Sequence, residues 1–371
     1  MKQIIYADNA ATTKLDIEAF EAMKPFLLDD YSNASQPYSF SRGSKKALKD
    51  ARKIIADCIN AEPNEIFFTS CGSESDNWAI KGIAYNGEKG AIITSEIEHH
   101  AILRACEDVE RNGVAVAYIK PNNEGIISST VLMDYISNNT KLVSIMFVNN
   151  EIGTIEPIKE LAEIAHKHGA VFHTDAVQAV GHIRINVKEL GVDMLSASAH
   201  KFNGPKGVGF LYIKKGTNIK AFINGGAQEL GFRAGTENVA SIVGMAVALK
   251  NNCLKIEENN THIEKLEELL ISGLEGLEFR RNCSRNHIKG IISLSFPNKE
   301  GEILMHRLDL KGIMVSTGAA CNSVQTEVSH VLKSVGAEER FAKGTIRISL
   351  GKDNTENEVE RIVKELINIL N

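Results

Sequence analysis

A regular alternation of short apolar runs with amphipathic stretches, from about residue 65 to residue 215, most constrains how this chain can fold. Seven runs rich in β-branched residues read as buried strands: EIFFT (65–69), AIITS (91–95), AVAYI (115–119), LVSIMFV (142–148), AVFHTDA (170–176), DMLSASAH (193–200) and GVGFLYI (207–213). Helical segments lie between several of them. The clearest is PIKELAEIAHKHG (157–169), which opens on Pro157, spaces its apolar residues three and four apart, and closes on Gly169. Strand–helix–strand repetition predicts an α/β fold, with a mostly parallel central sheet covered by helices on both faces. Ligands of such sheets bind beyond the carboxyl ends of the strands, so chemistry is to be sought just after each run.

A charged helical stretch (238–277) separates this block from a mixed pattern: strand IISLSF (291–296), helix EILMHRL (302–308), the small-residue loop STGAAC (316–321), helix VSHVLKSVG (328–336), strand TIRISL (345–350) and helix NEVERIVKELINIL (357–370). That pattern suits a smaller α+β domain, and 371 residues are more than one ordinary domain needs. Hydrophobic residues at 43% allow a sizeable core. A net charge of −5 disfavours nucleic-acid backbones as the main partner. Six cysteines, with no C-x-x-C pair among them, fit neither a zinc ribbon nor a disulfide framework. The opening residues MKQIIYADNAATT carry no signal-peptide pattern, and no apolar run approaches the ~20 residues that span a bilayer. The expectation is a soluble, cytoplasmic protein in a reducing compartment.

The strand ends supply the candidates. Cys71-Gly72-Ser73 opens a helical run, where free backbone N–H groups form either an anion site or an ordinary cap. Glu98-His99-His100 and Asn149-Asn150-Glu151 follow two further strands; a turn would explain the second equally well. Asp175 sits at an apolar strand end with Gln178 beyond it, so its carboxylate must be paired or shift toward neutrality. Ser198-Ala199-His200-Lys201, followed by a glycine-rich turn, places a lysine at the mouth of the sheet, where it suits a Schiff base beside a phosphate. His166 and His168 are two apart on the helix predicted over 157–169 and face different ways, so with His173 they make a poor metal site. Gly204–Gly209 precedes a strand, which fails the dinucleotide-loop pattern.

Taken together, DNAATT (8–13), TSCGSESDN (69–77), EHHA (98–101), VNNEIGT (148–154), HTDAVQAVG (173–181), SAHKFNGPKGVG (198–209), GGAQELGFRAGTENV (225–239), STGAACNS (316–323) and TIRISLG (345–351) resemble the cysteine desulfurases. This is a class V aminotransferase-like branch of the fold-type I pyridoxal-phosphate enzymes. The resemblance implies a large cofactor-binding domain (15–254) and a small domain built from 1–14 and 255–371. It implies that Lys201 holds pyridoxal 5'-phosphate, that Asp175 pairs with the ring nitrogen, that Gln178 and Asn150 reach the ring hydroxyl, and that His99 stacks on the ring. Gly72, Ser73, Ser198 and His200 correspond to the phosphate cradle, which Thr236 of a second subunit completes in a homodimer. Arg347 corresponds to the clamp on the substrate carboxylate. Cys321 corresponds to the thiol that takes sulfur from L-cysteine as a persulfide, leaving alanine, and hands it to an acceptor or iron–sulfur scaffold protein. Iron–sulfur cluster assembly and tRNA thiolation are the implied destinations.

The chain departs from the family pattern at Tyr38 and Ser41, where histidine and glycine are common, and at Cys71, Ala227 and Leu230. Rival readings are a selenocysteine lyase or other aminotransferase-like enzyme of this fold, a non-catalytic scaffold of iron–sulfur assembly, and a metal-dependent hydrolase built on His166, His168 and His173.

Overall fold

The computed structural model describes residues 4–87, 90–317 and 328–371. Seven strands form the central sheet in the order Ile66–Thr69, Gly209–Ile213, Met194–Ser198, Val171–Asp175, Thr140–Ser144, Ala91–Ser95 and Val116–Ile119. Gly209–Ile213 runs antiparallel to both of its neighbours, and the other pairs are parallel. The carboxyl ends of the remaining six therefore share one edge. Strands such as Met194–Ser198 are buried along their whole length, as expected for a sheet covered on both faces.

Each strand expected in the central sheet is present: Ala91–Ser95 has the expected bounds, Thr140–Ser144 begins two residues earlier and ends four earlier, and the other five are one to three residues shorter. The largest difference is in 142–148: the strand ends at Ser144, although the Ile145 and Phe147 N–H groups still donate to His173 and Asp175 carbonyls. Asn149 explains the change of direction. Its Oδ1 accepts from the Glu151 and Ile152 N–H groups, and Gly153 follows at φ 74°. A hydrophobic run thus ends in a side-chain-built turn. Helix Ile158–Lys167 lies where 157–169 predicts one, and the stretch 238–277 resolves into helices Val239–Leu254 and Ile256–Gly273, bent by 71°. Among the described residues no single helix is long and apolar enough to cross a membrane.

Two features escape the pattern reading. Helices Ile17–Leu28 and Arg42–Ile59 precede the first sheet strand, the former capped by Asp16, which accepts from the Glu18 and Ala19 N–H groups. The N-terminal residues Ile5–Tyr6 pair in parallel with Ile313–Met314, so the chain begins against its own C-terminal part. There Thr345–Ser349, Ile291–Ser295 and Arg280–Arg281 make an antiparallel sheet. A separate buried cluster gathers Ile5 and Ala7 with Leu266, Leu294, Ile346 and Leu366.

Beside that cluster, Glu267 receives Arg281 Nη2 at 2.5 Å, His287 Nε2 at 2.8 Å and the Gly290 N–H at 2.8 Å. Burial raises its carboxyl, but His287, the Gly290 N–H and Arg281 outweigh burial and hold it at about 2. With the folded value depressed, the stability contributed by Glu267 is present above pH 4.5 and is lost as pH falls toward 2. Glu267→Gln is expected to cost roughly 3 kcal/mol at neutral pH. Urea denaturation should show the gap between variant and wild type narrowing in acid.

Candidate active site

Beyond the carboxyl edge of the central sheet lies a cavity of about 350 Å³. Lys201 enters it from the tight turn Ala199–Lys201, which follows strand Met194–Ser198 directly. Its Nζ donates to the Ala10 carbonyl at 2.5 Å and the Ala11 carbonyl at 2.9 Å. The N-terminal segment is fixed in turn: Gln178 Nε2 donates to the Ala10 carbonyl, and Thr13 N–H and Oγ1 both reach the His200 carbonyl at 2.9 Å.

Asp175 ends the neighbouring strand and is 5% exposed. Burial pushes its carboxyl up to about 6, against the Val177 N–H and the Lys201 charge, which favour ionisation. It is therefore poised to ionise fully beside a second cation. The local Asx-turn to Val177 and the placement at the cavity coexist in one side chain.

At the other end of the cavity, helix Gly72–Ala84 begins immediately after Cys71, so its first N–H groups are free to meet an anion. A Cβ on Gly72 would stand 2.7 Å from Val177 Cγ2, which requires glycine there. Ser73 and Ser198 line the same end, and Ser198 Oγ is buried without a hydrogen-bond partner among the described residues. His200 Nδ1 lies 3.1 Å from Thr12 Oγ1. Burial, then Lys201 and Lys206, lower His200 to about 4, so its ring is neutral. An orphaned hydroxyl, a helix N-terminus and a glycine that admits close approach fit a phosphate group.

Arg347 stands across the cavity, 4% exposed, in the small antiparallel sheet. Nη1 donates to the Asn150 carbonyl at 2.8 Å and Nη2 to Asp8 Oδ1 at 2.9 Å, while Nε is buried and without a hydrogen-bond partner among the described residues. His99 caps helix His100–Arg111 by accepting the Ala101 N–H at Nδ1. Burial, then Lys201, His100 and His330, lower it to about 4, giving another neutral imidazole.

Gly72, Ser73, His99, Asn150 and Asp175 line this one cavity, as do Gln178, Ser198, His200, Lys201 and Arg347. Thr236 does not: it is exposed and lines a separate cleft with Thr69, Ser70 and Gly207. Cys321 lies outside the described residues, as does the rest of 318–327. Tyr38 is half exposed and is not among the described residues lining the cavity. His166 pairs with Asp193, and His173 is buried between Ser144 and Ser196, so the three histidines do not converge. No group of metal-binding side chains occurs among the described residues.

Sequence reading passed over Asp76, which lies in the first turns of helix Gly72–Ala84 and is completely buried at the cavity wall. Burial, with Asp175 adding to it, pushes its carboxyl well above the usual range. It also missed Asp8, the partner of Arg347, and His330, whose ring lies 4.9 Å from that of His100. Only an acidic residue inside a helix that must be buried on one face could have signalled Asp76.

The family model described as aminotransferase class-V matches residues 5–362. The cysteine desulfurase IscS of Clostridium botulinum strain Hall is 47% identical over 378 residues, covering 100% of this chain and 95% of that one. The cysteine desulfurase IscS of Methanosarcina thermophila is 48% identical over 366 residues, covering 97% and 90%. The chain belongs to the cysteine desulfurase family. Among solved structures, a NifS-like protein superposes with a TM-score of 0.94 at 39% identity, covering 99% of both chains. SspA in complex with cysteine superposes with a TM-score of 0.85 at 36% identity, covering 95% of this chain and 100% of that one.

Like the rest of the family, this desulfurase is a pyridoxal-phosphate enzyme, and the donor set just described fits that cofactor. Gly72→Ala is expected to weaken cofactor binding about tenfold through the clash with Val177. Absorbance titration of the apoprotein with pyridoxal phosphate measures this, and Val177→Ala added to Gly72→Ala should recover part of the loss.

Proposed function

We propose that the cavity takes L-cysteine, transfers its sulfur to Cys321 as a persulfide and releases L-alanine. The observation that carries this reading is the convergence of Lys201, Asp175 and Arg347 on a single cavity with an anion-ready helix end. Those are the groups needed to hold a phosphate-bearing aromatic cofactor at one end and an amino-acid carboxylate at the other.

Gly72, Ser73, Ser198 and His200 would hold the phosphate, Asp175 the ring nitrogen, and Gln178 and Asn150 the ring hydroxyl, with His99 against the ring face. When bound, pyridoxal phosphate supplies the electron sink that makes a substrate α-hydrogen acidic. Lys201 Nζ carries the proton at the α-carbon, and the Ala10 and Ala11 carbonyls fix where that amine rests between transfers. Arg347 meets the substrate carboxylate, its plane set by Asp8 and the Asn150 carbonyl. The Cys321 thiolate then attacks the substrate sulfur: an S–S bond forms, the C–S bond breaks, and the carbon is protonated to give alanine. The described residues on either side of 318–327 support this role. Ser316 is bonded to the Arg347 backbone, and Ser329 lines the cavity with its hydroxyl on Glu151.

Thr236, exposed and outside this cavity, would complete the phosphate cradle of a second copy in a homodimer. The persulfide would pass to an acceptor or scaffold protein of iron–sulfur cluster assembly or tRNA thiolation; the name IscS borne by the relatives supports the former. We divide the chain into a large domain (15–254) and a small one (1–14 with 255–371), as the separate buried cluster around Ile5, Leu294 and Ile346 supports. Five free cysteines among the described residues suit a reducing compartment, and we place the protein in the cytoplasm.

Wild type, Lys201→Ala and Cys321→Ala are to be assayed together for visible absorbance and for alanine and sulfide release from L-cysteine. The expected outcome is a yellow wild type that produces alanine, with sulfide release lost in both variants. Full activity of Cys321→Ala on cysteine would remove the thiol from the mechanism. Arg347→Lys should raise KM for cysteine about tenfold or more, since an ammonium cannot make the bidentate contact.

A further inference from the structure

Two buried serines, Ser316 and Ser329, lie on either side of residues 318–327, within which Cys321 falls. On the N-terminal side, the Ser316 N–H donates to the Arg347 carbonyl at 3.0 Å, and the Ser316 carbonyl accepts the Arg347 N–H at 2.6 Å. On the C-terminal side, Ser329 Oγ donates to Glu151 Oε2 at 2.5 Å and accepts the Val331 N–H at 3.1 Å. Glu151 follows Asn150 in the chain, and the Asn150 carbonyl accepts from Arg347 Nη1 at 2.8 Å. A chain of bonds thus runs from Ser316 through Arg347, Asn150 and Glu151 to Ser329.

The turn that bears Glu151 is itself fixed. Asn149, fully buried, accepts the Glu151 and Ile152 N–H groups at Oδ1 and donates from Nδ2 to the Ile97 carbonyl at 2.9 Å. Helix His330–Ser334 is seated beside it, with Val331, Leu332 and Val335 clustered against Ile97 and Ile152. His330 Nε2 donates to the Glu98 carbonyl at 3.0 Å, and Ser334 Oγ to Glu96 Oε2 at 2.9 Å. The bond between Ser329 and Glu151 differs from these in its place: both residues are buried, and both line the cavity. A polar group so placed is costly to leave without its partner.

We propose that Glu151 is a positioning residue for sulfur transfer: it holds Ser329, and so the C-terminal side of the Cys321 segment, on the same turn that orients Arg347. The inference rests on Cys321 being the sulfur acceptor. Arg347 sets where the substrate carboxylate stands, and hence where its sulfur stands. Anchoring the thiol-bearing segment to the same turn gives nucleophile and target one common frame. A misplacement of about 1 Å between reacting groups costs on the order of a hundredfold in rate, so such a brace acts in the chemical step and not in binding. Burial pushes the Glu151 carboxyl above its usual range, with Ser329, Arg347 and His100 pulling the other way. What Ser329 needs from it is an acceptor oxygen, which an amide also supplies.

The test compares wild-type holoprotein with Ser329→Ala, Glu151→Ala, the double variant, Glu151→Gln and Cys321→Ala for steady-state alanine release from L-cysteine. Ser329→Ala and Glu151→Ala should each lower kcat about tenfold, with KM and cofactor affinity by absorbance titration unchanged. The double variant should fall no further than either single one, since both remove the same bond. Glu151→Gln should stay near the wild-type rate. Ser334→Ala, which loosens the same helix from Glu96, should leave kcat unchanged. Hydrogen exchange in the apoprotein should quicken at the Val331 amide in Glu151→Ala but not in Glu151→Gln. Should Glu151→Ala fail to take up cofactor, Ser329→Ala, which removes a single oxygen, carries the test. Wild-type rates in Ser329→Ala beside an inactive Cys321→Ala would overturn the brace and leave the sulfur acceptor standing; full activity of Cys321→Ala would remove the acceptor itself. Additive losses in the double variant, a loss confined to KM, or a fall in Glu151→Gln as deep as in Glu151→Ala would each overturn the proposal.

Discussion

A guanidinium buried to 4% exposure cannot stay in a protein interior unless its charge is answered, and Arg347 is answered from two directions. Asp8 reaches it from the N-terminal segment, and the Asn150 carbonyl reaches it from the turn after strand Thr140–Ser144. Its own strand belongs to the small antiparallel sheet, where it faces Ser293 and is bridged to Ser316. One side chain thus ties the small sheet, the first residues of the chain and the carboxyl edge of the central sheet. The segment that carries Asp8 runs on to offer the Ala10 and Ala11 carbonyls to Lys201. Both ends of the cavity are therefore located by the same short stretch of chain.

The electrostatics of the cavity follow from that enclosure. Burial is the largest influence on five ionisable groups at or near it, raising Asp76, Glu98 and Asp175 and lowering His99 and His200. Three acids crowd one region, so they cannot all be charged at little cost; Asp175, with the Val177 N–H and Lys201 beside it, is the one best supported as an anion. The imidazoles are neutral and can accept or stack without adding positive charge. Such a site is matched to a ligand that brings its own phosphate and its own ring cation, as the cofactor of this family does.

Much of this was legible in the chain. The strand runs announced themselves because a sheet covered on both faces needs continuous apolar segments, and parallel order then placed Ser198, Lys201 and Asp175 at one edge. The helices Ile17–Leu28 and Arg42–Ile59 were not seen. The first contains Pro25 and exposes several large apolar side chains, Ile17 and Leu28 among them, so its sequence shows no clean polar face. The run 142–148 was read as one strand because its hydrophobicity continues past Ser144, whereas the turn is built by the Asn149 side chain. Asp76 was missed because its burial depends on what covers the helix, which periodicity alone does not report.

By itself the sequence determined the α/β class, the chain order of the central strands, and the residues that stand at strand ends, because backbone sterics and the burial of apolar faces act locally along the chain. It also carried the family motifs that name Lys201, Asp175, Arg347 and Cys321. Only the tertiary structure decided which distant groups meet: Asp8 with Arg347, Ala10 with Lys201, and Thr236 with a cleft outside the cavity. These pairings depend on how the small sheet, the N-terminal segment and the outer helices close over the central sheet. Closure of that kind is settled by the collective burial of surfaces far apart in the chain, and no local pattern encodes it.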